Sequence, residues 1–462
     1  MTDAVSVDHA GTKKVVLFVT TIASFVSPFG MSSVNIALPS IEKEFQMNAI
    51  LLSWVMTAYL LTSAMFLVPF GKIADIYGRK RIFTYGILIF TLASLGSAVS
   101  NSATMLICSR ILQGVGAAEI YCVGTAILTS VFPSRELGKV LGINLAAVYM
   151  GNSAGPFLGG FLTHYFGWRS IFLVNVFLGL IVIFLTSLKL KGEWRTAEKE
   201  KFDLTGSVIF SMTLFLIMYG FSQLSTVRGL WYILPGVLGI LAFVQWETRT
   251  RNPVLDINLF RNNRVFAFSN LAAFIHYSAT FALTFLLSLY LQYIKKLTPE
   301  SAGLILVSQP IVQAVFSAYA GKLSDKTEPR IVASIGMGLT GVGLFLFVFL
   351  NERATVGFVV ASLILIGFGC ALFVSPNTNA VMSSVENRFY GVASGTLGTM
   401  RVIGMVLSMG MIILVFSVYI GKVQITSDTY PLFLGCLKMA FAFFAALCLG
   451  GILASLSRGN VR

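Results

Sequence analysis

The chain is a succession of apolar runs, each about 20 residues long, separated by short polar loops. A helix needs about 20 mostly apolar residues to cross the hydrocarbon core of a bilayer, and it satisfies its own backbone hydrogen bonds there. The pattern therefore predicts an all-α polytopic membrane protein with fourteen spans. They are expected near residues 15–38, 49–70, 82–100, 104–131, 139–162, 169–188, 204–224, 229–247, 266–293, 302–321, 330–350, 355–379, 391–420 and 431–455.

The composition excludes a soluble protein of ordinary type. Of the 462 residues, 56% are hydrophobic and 11% are charged, whereas a typical soluble chain has about 25% charged residues. A net charge of +14 could indicate a nucleic-acid partner. The positive residues, however, lie in short loops between apolar runs and form no basic stripe. We therefore expect a lipid bilayer and no nucleic acid as a partner.

The distribution of Lys and Arg predicts the orientation in the membrane. Of the 33 residues, 23 fall in the tails and loops on the side of both termini, 7 fall on the other side, and 3 lie within spans. Because cytoplasmic loops are enriched in positive charge, both termini are predicted to be cytoplasmic. No organellar targeting segment is visible, so the predicted location is the cell membrane of a prokaryote.

One internal repeat predicts the domain organisation. GKIADIYGRK begins at Gly71, and GKLSDKTEPR begins at Gly321, 250 residues later. Two six-span bundles with two additional spans between them would give this offset, and duplicated bundles commonly hold the solute between them. The predicted units are an N-terminal bundle at 1–188, a linker with two extra spans at 189–263, and a C-terminal bundle at 264–462.

The first copy of the repeat places Gly71, Asp75, Gly78 and Arg79 in a loop between two spans. Gly78 permits a tight turn, and Asp75 can accept charge-assisted hydrogen bonds. The cluster, with Asp325 in the second copy, could latch one bundle against the other. The alternative interpretation is a solvated loop that only maintains the topology.

The fourth span contains RILQGVGAAE and two charged residues. Arg110 must face a partner or water, because a charge within the membrane costs about 2.5–3.5 kcal/mol; snorkelling to the surface is the alternative. Among the nineteen acidic residues, Glu119 alone lies in the middle of a span. It follows Arg110 by nine residues, which is about 13.5 Å and half a turn out of phase, so the two cannot pair directly.

Glu119 is the predicted proton carrier. An apolar environment favours the neutral form of a carboxyl group, which allows it to take up and release protons. The same group could instead be the counter-ion of a cationic solute, or a structural glutamate bonded to a neighbouring helix. Secondary candidates are Arg401, Lys438, Asn35 and His276, although a lone intramembrane histidine is more often a packing residue.

No enzyme signature is visible in the sequence. There is no P-loop for ATP, and no spacing of His, Cys, Asp or Glu indicates a metal site or a catalytic triad. We therefore expect a protein that is not an enzyme, that needs no cofactor and that uses a proton gradient as its energy source.

The fifth span contains GNSAGPFLGG. Gly151, Gly155 and Gly159 repeat every four residues and line one face, which allows close contact between helices. Pro156 removes a backbone hydrogen bond and should bend the helix. Such a helix suits a moving part, and ordinary packing of small residues is the alternative.

Together these segments resemble the Major Facilitator Superfamily, specifically its fourteen-span drug:proton antiporter branch. GKIADIYGRK looks like the loop motif between spans two and three. RILQGVG is similar to the fourth-span motif, with Arg110 as its functional arginine and Gln113 beside it. GNSAGPFLGG, which ends at Gly160, looks like the fifth-span antiporter motif. One departure is Gly30, which stands where the branch usually has an acidic residue.

The resemblance implies a monomeric exporter that works by alternating access and exchanges protons for small amphipathic solutes, which Glu119 would favour as cations. The loop motif would lock the outward-facing state, the arginine would serve proton coupling, and the glycine-proline helix would limit leak between the bundles. A rival is the export of an anionic or zwitterionic metabolite, lipid or siderophore-like compound, because embedded positive residues outnumber Glu119. A third reading is a non-transporting receptor or scaffold on the same fold.

Overall fold

The computed structural model describes residues 9–190, 192–195, 201–224, 226–250, 253–255, 257–324, 326–386, 390–421 and 423–459. This part of the chain contains the α-helices α1 (His9–Phe45), α2 (Ala49–Tyr77), α3 (Arg79–Ala98), α4 (Ala103–Val131), α5 (Ser134–Phe166), α6 (Arg169–Lys189), α7 (Leu204–Ser222), α8 (Arg228–Glu247), α9 (Ile257–Asn262), α10 (Arg264–Thr280), α11 (Ala282–Leu289), α12 (Pro299–Leu306), α13 (Ser308–Ser324), α14 (Pro329–Leu346), α15 (Val356–Ser383), α16 (Tyr390–Tyr419) and α17 (Tyr430–Ser457).

Short polar residues start many of these helices. Their side-chain oxygens accept hydrogen bonds from the free N–H groups of the first turn, which no backbone carbonyl can reach. Helices that begin in this way follow Asn48, Ser102, Asn263, Thr298 and Thr355. The loops of the sequence therefore set the helix boundaries locally.

The fourteen predicted spans are present. Within the described residues, thirteen segments are long and apolar enough to cross a membrane: α1–α4, α6–α8, α10 with α11, α12 with α13, and α14–α17. The 33-residue helix α5 is the fourteenth. The protein is thus an all-α, multi-pass membrane protein.

The ninth and tenth spans are broken, although the sequence predicts each as one continuous helix. In the ninth, the N–H of Ala282 donates to Ser408 Oγ (3.1 Å) at the junction of α10 and α11. A π-helical turn, Tyr290–Ile294, ends this span. In the tenth, Pro310 has no N–H to donate to Leu306, where α12 ends.

The helices form two bundles with two further spans beside them. In the first bundle α1 packs mainly on α5, and α4 packs on α2 and α3. In the second, α15 packs on α13 and α14, while α10 packs on α16 and α17. α7 and α8 pair with each other, and α7 also contacts both α2 and α16. The extra spans therefore cover the place where the bundles meet; the unit boundaries at residues 188 and 263 stay a prediction.

The bundles are joined most firmly on one side, here called the opposite side, which holds the end of α1 and the start of α17. The N–H of Ala49 donates to the Val423 carbonyl (3.2 Å). Gln292 Nε2 donates to the Ile36 carbonyl (3.0 Å). The other side, which holds the start of α1 and the end of α17, is called the terminal side.

The outer faces of the helices are apolar. On α6, large hydrophobic side chains are more than half exposed at every third or fourth position: Phe177, Leu180, Phe184 and Leu188. Such a stripe faces lipid rather than water.

Candidate functional site

The predicted latch loop binds within the first bundle. Arg79 donates from Nε and Nη2 to Asp75 Oδ1 (2.9 and 2.6 Å). Its Nη1 donates to the Ala126 carbonyl (2.8 Å) and to Ser130 Oγ. Gly71 faces α4, with the Cys122 Cβ nearest to where its own Cβ would be. The cluster ties α2, α3 and α4 together. Asp325 lies outside the described residues, so a latch across the two bundles stays a prediction.

The chain returns to this loop after α6. Gly78 has φ +121°, a conformation that glycine adopts readily. The N–H of Arg79 donates to the Trp194 carbonyl (2.9 Å), and the N–H of Lys80 donates to Glu193 Oε1 (2.8 Å). The carboxylate of Glu193 thus binds the N-terminus of α3, where the helix dipole favours negative charge.

Arg110 lies inside the first bundle, fully buried. Its Nε donates to the Val55 carbonyl (3.0 Å), and its Nη1 donates to Gln113 Oε1 (2.5 Å). Gln113 Nε2 in turn donates to Ser94 Oγ (2.7 Å). The guanidinium also stacks over the Tyr59 ring, 4.3 Å from its centroid. These contacts link α2, α3 and α4 and exclude snorkelling to the membrane surface in this conformation.

Glu119 is also buried in the first bundle, with only 2% of its surface exposed. A methyl group at Gly86 of α3 would lie 2.5 Å from the Glu119 Cβ, so the glutamate packs directly on that glycine. Among the described residues, Glu119 Oε2 has no hydrogen-bond partner. The reading of a glutamate that is hydrogen-bonded to a neighbouring helix therefore gains no support from Oε2.

Glu119 points away from the contact between the bundles. Tyr121, two positions further along α4, packs on Gly398 of α16 in the second bundle. Two residues correspond to about 200° of rotation about a helix. Glu119 thus faces the interior of the first bundle and not the second bundle, and its role as proton carrier stays a prediction.

The predicted antiporter helix α5 contacts both bundles. Methyl groups at Gly151, Gly155 and Gly159 would collide with Phe25 to Ser33 of α1. On another face of α5, a methyl group at Gly160 would lie 2.5 Å from the Pro299 carbonyl oxygen, and the Pro156 carbonyl oxygen abuts Gly303. The glycines therefore permit two close contacts, one with α1 and one with α12 of the second bundle.

Gly30 stands where the resembling branch usually has an acidic residue, and a side chain of another helix fills the space beside it. A methyl group at Gly30 would lie 2.5 Å from Asn175 Nδ2 of α6. Asn175 is fully buried, and among the described residues its side-chain Nδ2 and Oδ1 have no hydrogen-bond partner. A neutral amide thus fills the space that an acidic side chain at position 30 would need.

Arg401 of α16 lies between the bundles. Its Nη2 donates to Thr378 Oγ1 (2.7 Å), and its guanidinium carbon is 5.7 Å from the Tyr277 ring centroid. Tyr121 and Tyr149 from the first bundle also lie around this guanidinium. Five helices, α4, α5, α10, α15 and α16, therefore contribute to one cluster, called here the arginine–tyrosine cluster.

The other secondary candidates lie elsewhere. His276 is buried and stacks on Phe373 (centroids 4.2 Å apart), as a packing histidine would. The Asn35 carbonyl accepts a hydrogen bond from Ser288 Oγ (2.6 Å) on the opposite side. Lys438 is exposed on α17 and does not lie in the bundle interior, where the sequence pattern had suggested an embedded charge. Its flexible stem can carry the charge toward the membrane surface.

Several residues of interest escape sequence reasoning. The three tyrosines of the cluster lie in apolar runs rich in aromatics, and nothing in such a run distinguishes an inner from a lipid-facing ring. Arg458 follows the last span and looks like an ordinary loop charge, yet it is buried and donates to Asn377 Oδ1 (3.0 Å). In the described part of the chain, no three His, Cys, Asp or Glu side chains could together hold a metal ion.

Comparison with known proteins identifies the fold and the family. The sequence profile described as Major Facilitator Superfamily matches residues 20–264 and 269–459. The chain belongs to the Major Facilitator Superfamily. A solved POT family transporter, in complex with a thioalcohol-conjugated peptide, has the same fold with a TM-score of 0.71 and 15% identity over 96% of this chain and 95% of its own.

Curated members of the Major Facilitator Superfamily resemble this chain over most of its length. The riboflavin transporter RibZ of Clostridioides difficile (strain 630) is 31% identical over 389 residues, 84% of this chain and 85% of its own. The multidrug resistance protein Stp of Mycobacterium tuberculosis (strain CDC 1551 / Oshkosh) is 31% identical over 402 residues, 85% and 74%. The cephamycin export protein CmcT of Amycolatopsis lactamdurans is 31% identical over 396 residues, 83% and 80%. The predicted superfamily is confirmed, and the protein is a membrane transporter.

Proposed function

We propose that this transporter exports amphipathic organic compounds from the cytoplasm in exchange for protons. Two of its relatives are named as a multidrug resistance protein and a cephamycin export protein, which supports export of organic compounds. The observation that supports proton coupling is Glu119, a buried carboxyl group in the middle of α4 whose Oε2 has no hydrogen-bond partner in the described part of the chain. An apolar site of this kind favours the neutral carboxyl group and makes its ionisation depend on the surroundings.

The geometry supports alternating access. The bundles are in contact on the opposite side through α1 with α11 and through α5 with α12. The glycines of α5 allow two rigid surfaces to meet there without interlocking side chains, so this contact can be made and broken as a unit. With both termini in the cytoplasm, as the loop charges predict, this contact would close the path toward the outside, as an inward-facing conformation requires.

Arg110 and Glu119 have separate parts in the proposed cycle. Arg110 fixes α2, α3 and α4 through Val55, Gln113 and Ser94. Glu119 packs on Gly86 of α3, so its protonation changes the charge between α3 and α4. Proton uptake would alter how these helices pack, and the packing would in turn change the solute path. We further propose a monomer in the cell membrane.

The test is transport by the purified full-length protein in liposomes with an imposed pH gradient. Two dyes with the same xanthene core, cationic rhodamine 123 and anionic fluorescein, cover both charge classes. We expect the wild type to move at least one dye in a gradient-dependent manner. Glu119→Gln keeps the shape of the side chain but not its titration, and it should reduce gradient-driven movement at least tenfold.

The matched control is Glu136→Gln, which removes the same charge from a half-exposed carboxylate paired with Lys13. This variant should transport like the wild type. Gradient-driven transport that persists in Glu119→Gln would show that a residue other than Glu119 couples transport to protons. A folded wild type that moves neither dye under any gradient would overturn the export proposal.

A further inference from the structure

The arginine–tyrosine cluster lies where a transported solute must pass. Tyr121 and Tyr149 belong to the first bundle, and Tyr277, Thr378 and Arg401 belong to the second. From the terminal side, Arg401 lies eleven residues into α16, about 16 Å along the axis. The cluster is therefore deep in the membrane-spanning part and bridges the two bundles.

The cluster remains accessible. Tyr121 is 37% exposed although it faces the second bundle, and the side chains of Tyr149, Tyr277 and Arg401 are only partly buried. The firm contacts between the bundles lie on the opposite side. The rings and the guanidinium of the cluster therefore keep surface that a ligand can contact.

The charge of the cluster is not balanced by protein groups. Arg401 makes no ion pair with any Asp or Glu in the part of the chain that the structure describes; its neighbours are hydroxyl groups and aromatic rings. Its Nε is buried and has no hydrogen-bond partner among the described residues. A guanidinium within the membrane ordinarily has a partner, because the unpaired charge is costly there.

We propose that Arg401 binds an anionic group of the transported compound, while the rings of Tyr121, Tyr149 and Tyr277 pack on an aromatic part of it. The substrate class is thus a planar aromatic compound that carries a carboxylate or a comparable acidic oxygen group. The fork of N–H donors on arginine fits such a group, and charge-assisted hydrogen bonds are the strong ones. This inference rests on the proposed function, and it replaces a cationic solute by an anionic one.

The other positive residues within spans do not compete for this role. Arg110 is fully buried inside the first bundle, where its Nε and Nη1 bind Val55 and Gln113, and its Nη2 has no hydrogen-bond partner among the described residues. Lys438 is exposed on α17. Glu119, the acid that could attract a cation, faces Gly86 of α3 instead of the second bundle.

The test measures binding of fluorescein and rhodamine 123 to the purified full-length protein by fluorescence anisotropy. We expect the wild type to bind fluorescein at least tenfold more tightly than rhodamine 123. Arg401→Gln should weaken fluorescein binding at least tenfold and leave rhodamine 123 binding unchanged. Arg401→Lys keeps the charge but not the planar set of N–H donors, and it should weaken fluorescein binding less than Arg401→Gln does.

Lys438→Gln is the matched control, because it removes one positive charge from the same bundle and should leave fluorescein binding unchanged. Tighter binding of rhodamine 123 than of fluorescein by the wild type would overturn the inference without any variant. Unchanged fluorescein affinity in a folded Arg401→Gln protein would also overturn it.

The two proposals fail in different ways. Gradient-driven movement of rhodamine 123 that depends on Glu119, with fluorescein ignored, would overturn the anionic substrate and support the proton-coupled exporter. Binding of fluorescein that depends on Arg401, without gradient-driven movement, would support the site and overturn the exporter.

Discussion

The α3–α4 pair of the first bundle and the α14–α15 pair of the second cross in the same way. Gly86 and Gly116 meet in the first pair, where a methyl group at Gly116 would lie 2.5 Å from the Gly86 carbonyl oxygen. Gly336 and Gly369 meet in the second, where a methyl group at Gly369 would lie 2.7 Å from the Gly336 carbonyl oxygen. Gly336 follows Gly86 by 250 residues, and Gly369 follows Gly116 by 253 residues. Both separations are close to the 250-residue offset of the loop repeat.

The chemistry beside the two crossings differs. Three positions on α4 carry polar side chains: Arg110, Gln113 and Glu119. The positions 253 residues later on α15 are, in the same order, the buried apolar residues Leu363, Ile366 and Leu372. Because α15 packs without such groups, the crossing does not need them. The polar set of α4 is thus an addition to a shared scaffold, which is typical of function rather than of folding.

The largest effect, a loss of folded protein, is expected when an arginine equivalent to Arg110 is introduced into the second bundle. Leu363→Arg would bury a guanidinium on α15, where Ile366 stands at the position of Gln113, at a cost of about 3 kcal/mol or more. We expect little monodisperse protein in size-exclusion chromatography of membrane extracts. Leu363→Met, which keeps the volume, should behave like the wild type. A well-folded Leu363→Arg protein would show that the second bundle can supply partners.

The next effect tests whether the crossings are equivalent. Gly116→Ala and Gly369→Ala should each destabilise the protein by about 1–3 kcal/mol, because both new methyl groups meet backbone atoms of the facing helix. The readout is the thermal midpoint in detergent. Gly142→Ala, with no atom within 4 Å of the added methyl, should not be destabilised, since alanine favours a helix. Unequal losses in the two bundles would break the comparison.

A smaller effect, on transport rather than folding, is expected for Arg110→Lys. Lysine retains the charge but cannot serve the Val55 carbonyl and Gln113 Oε1 with one rigid fork. Gradient-driven dye movement should fall about tenfold, while the elution profile remains normal. Normal transport by this variant would mean that charge alone suffices at the position.

The smallest effect is expected for Ser94→Ala, which removes the acceptor of Gln113 Nε2. The loss of one buried hydrogen bond corresponds to about 1 kcal/mol, seen as a small fall in the thermal midpoint. Ser97→Ala is the control, because Ser97 Oγ binds only the carbonyl of Ala93 in its own helix. Equal effects of the two changes would remove the Gln113 contact from the polar set.

The sequence permitted prediction of the fourteen spans and the superfamily, because lipid requires long apolar runs and the motifs stand in order. The break in the ninth span could not be predicted, since it depends on Ser408 of a distant helix, whereas the break in the tenth span coincides with Pro310, which the sequence shows. Glu119 could be singled out by its charge, but its direction depends on how α4 packs on α3. The tyrosines around Arg401 could not be recognised, because their role arises only when five helices meet.

Glu193 and Trp194, which follow α6 and accept hydrogen bonds from the start of α3, matter when the transporter is divided into two co-expressed pieces. A first piece that stops at residue 188 would lack the acceptors for the N–H groups of Arg79 and Lys80. A first piece that continues through Arg195 would carry them. The minimal self-contained N-terminal fragment is therefore longer than its six spans, because its last few residues hold its first turn on the terminal side through hydrogen bonds.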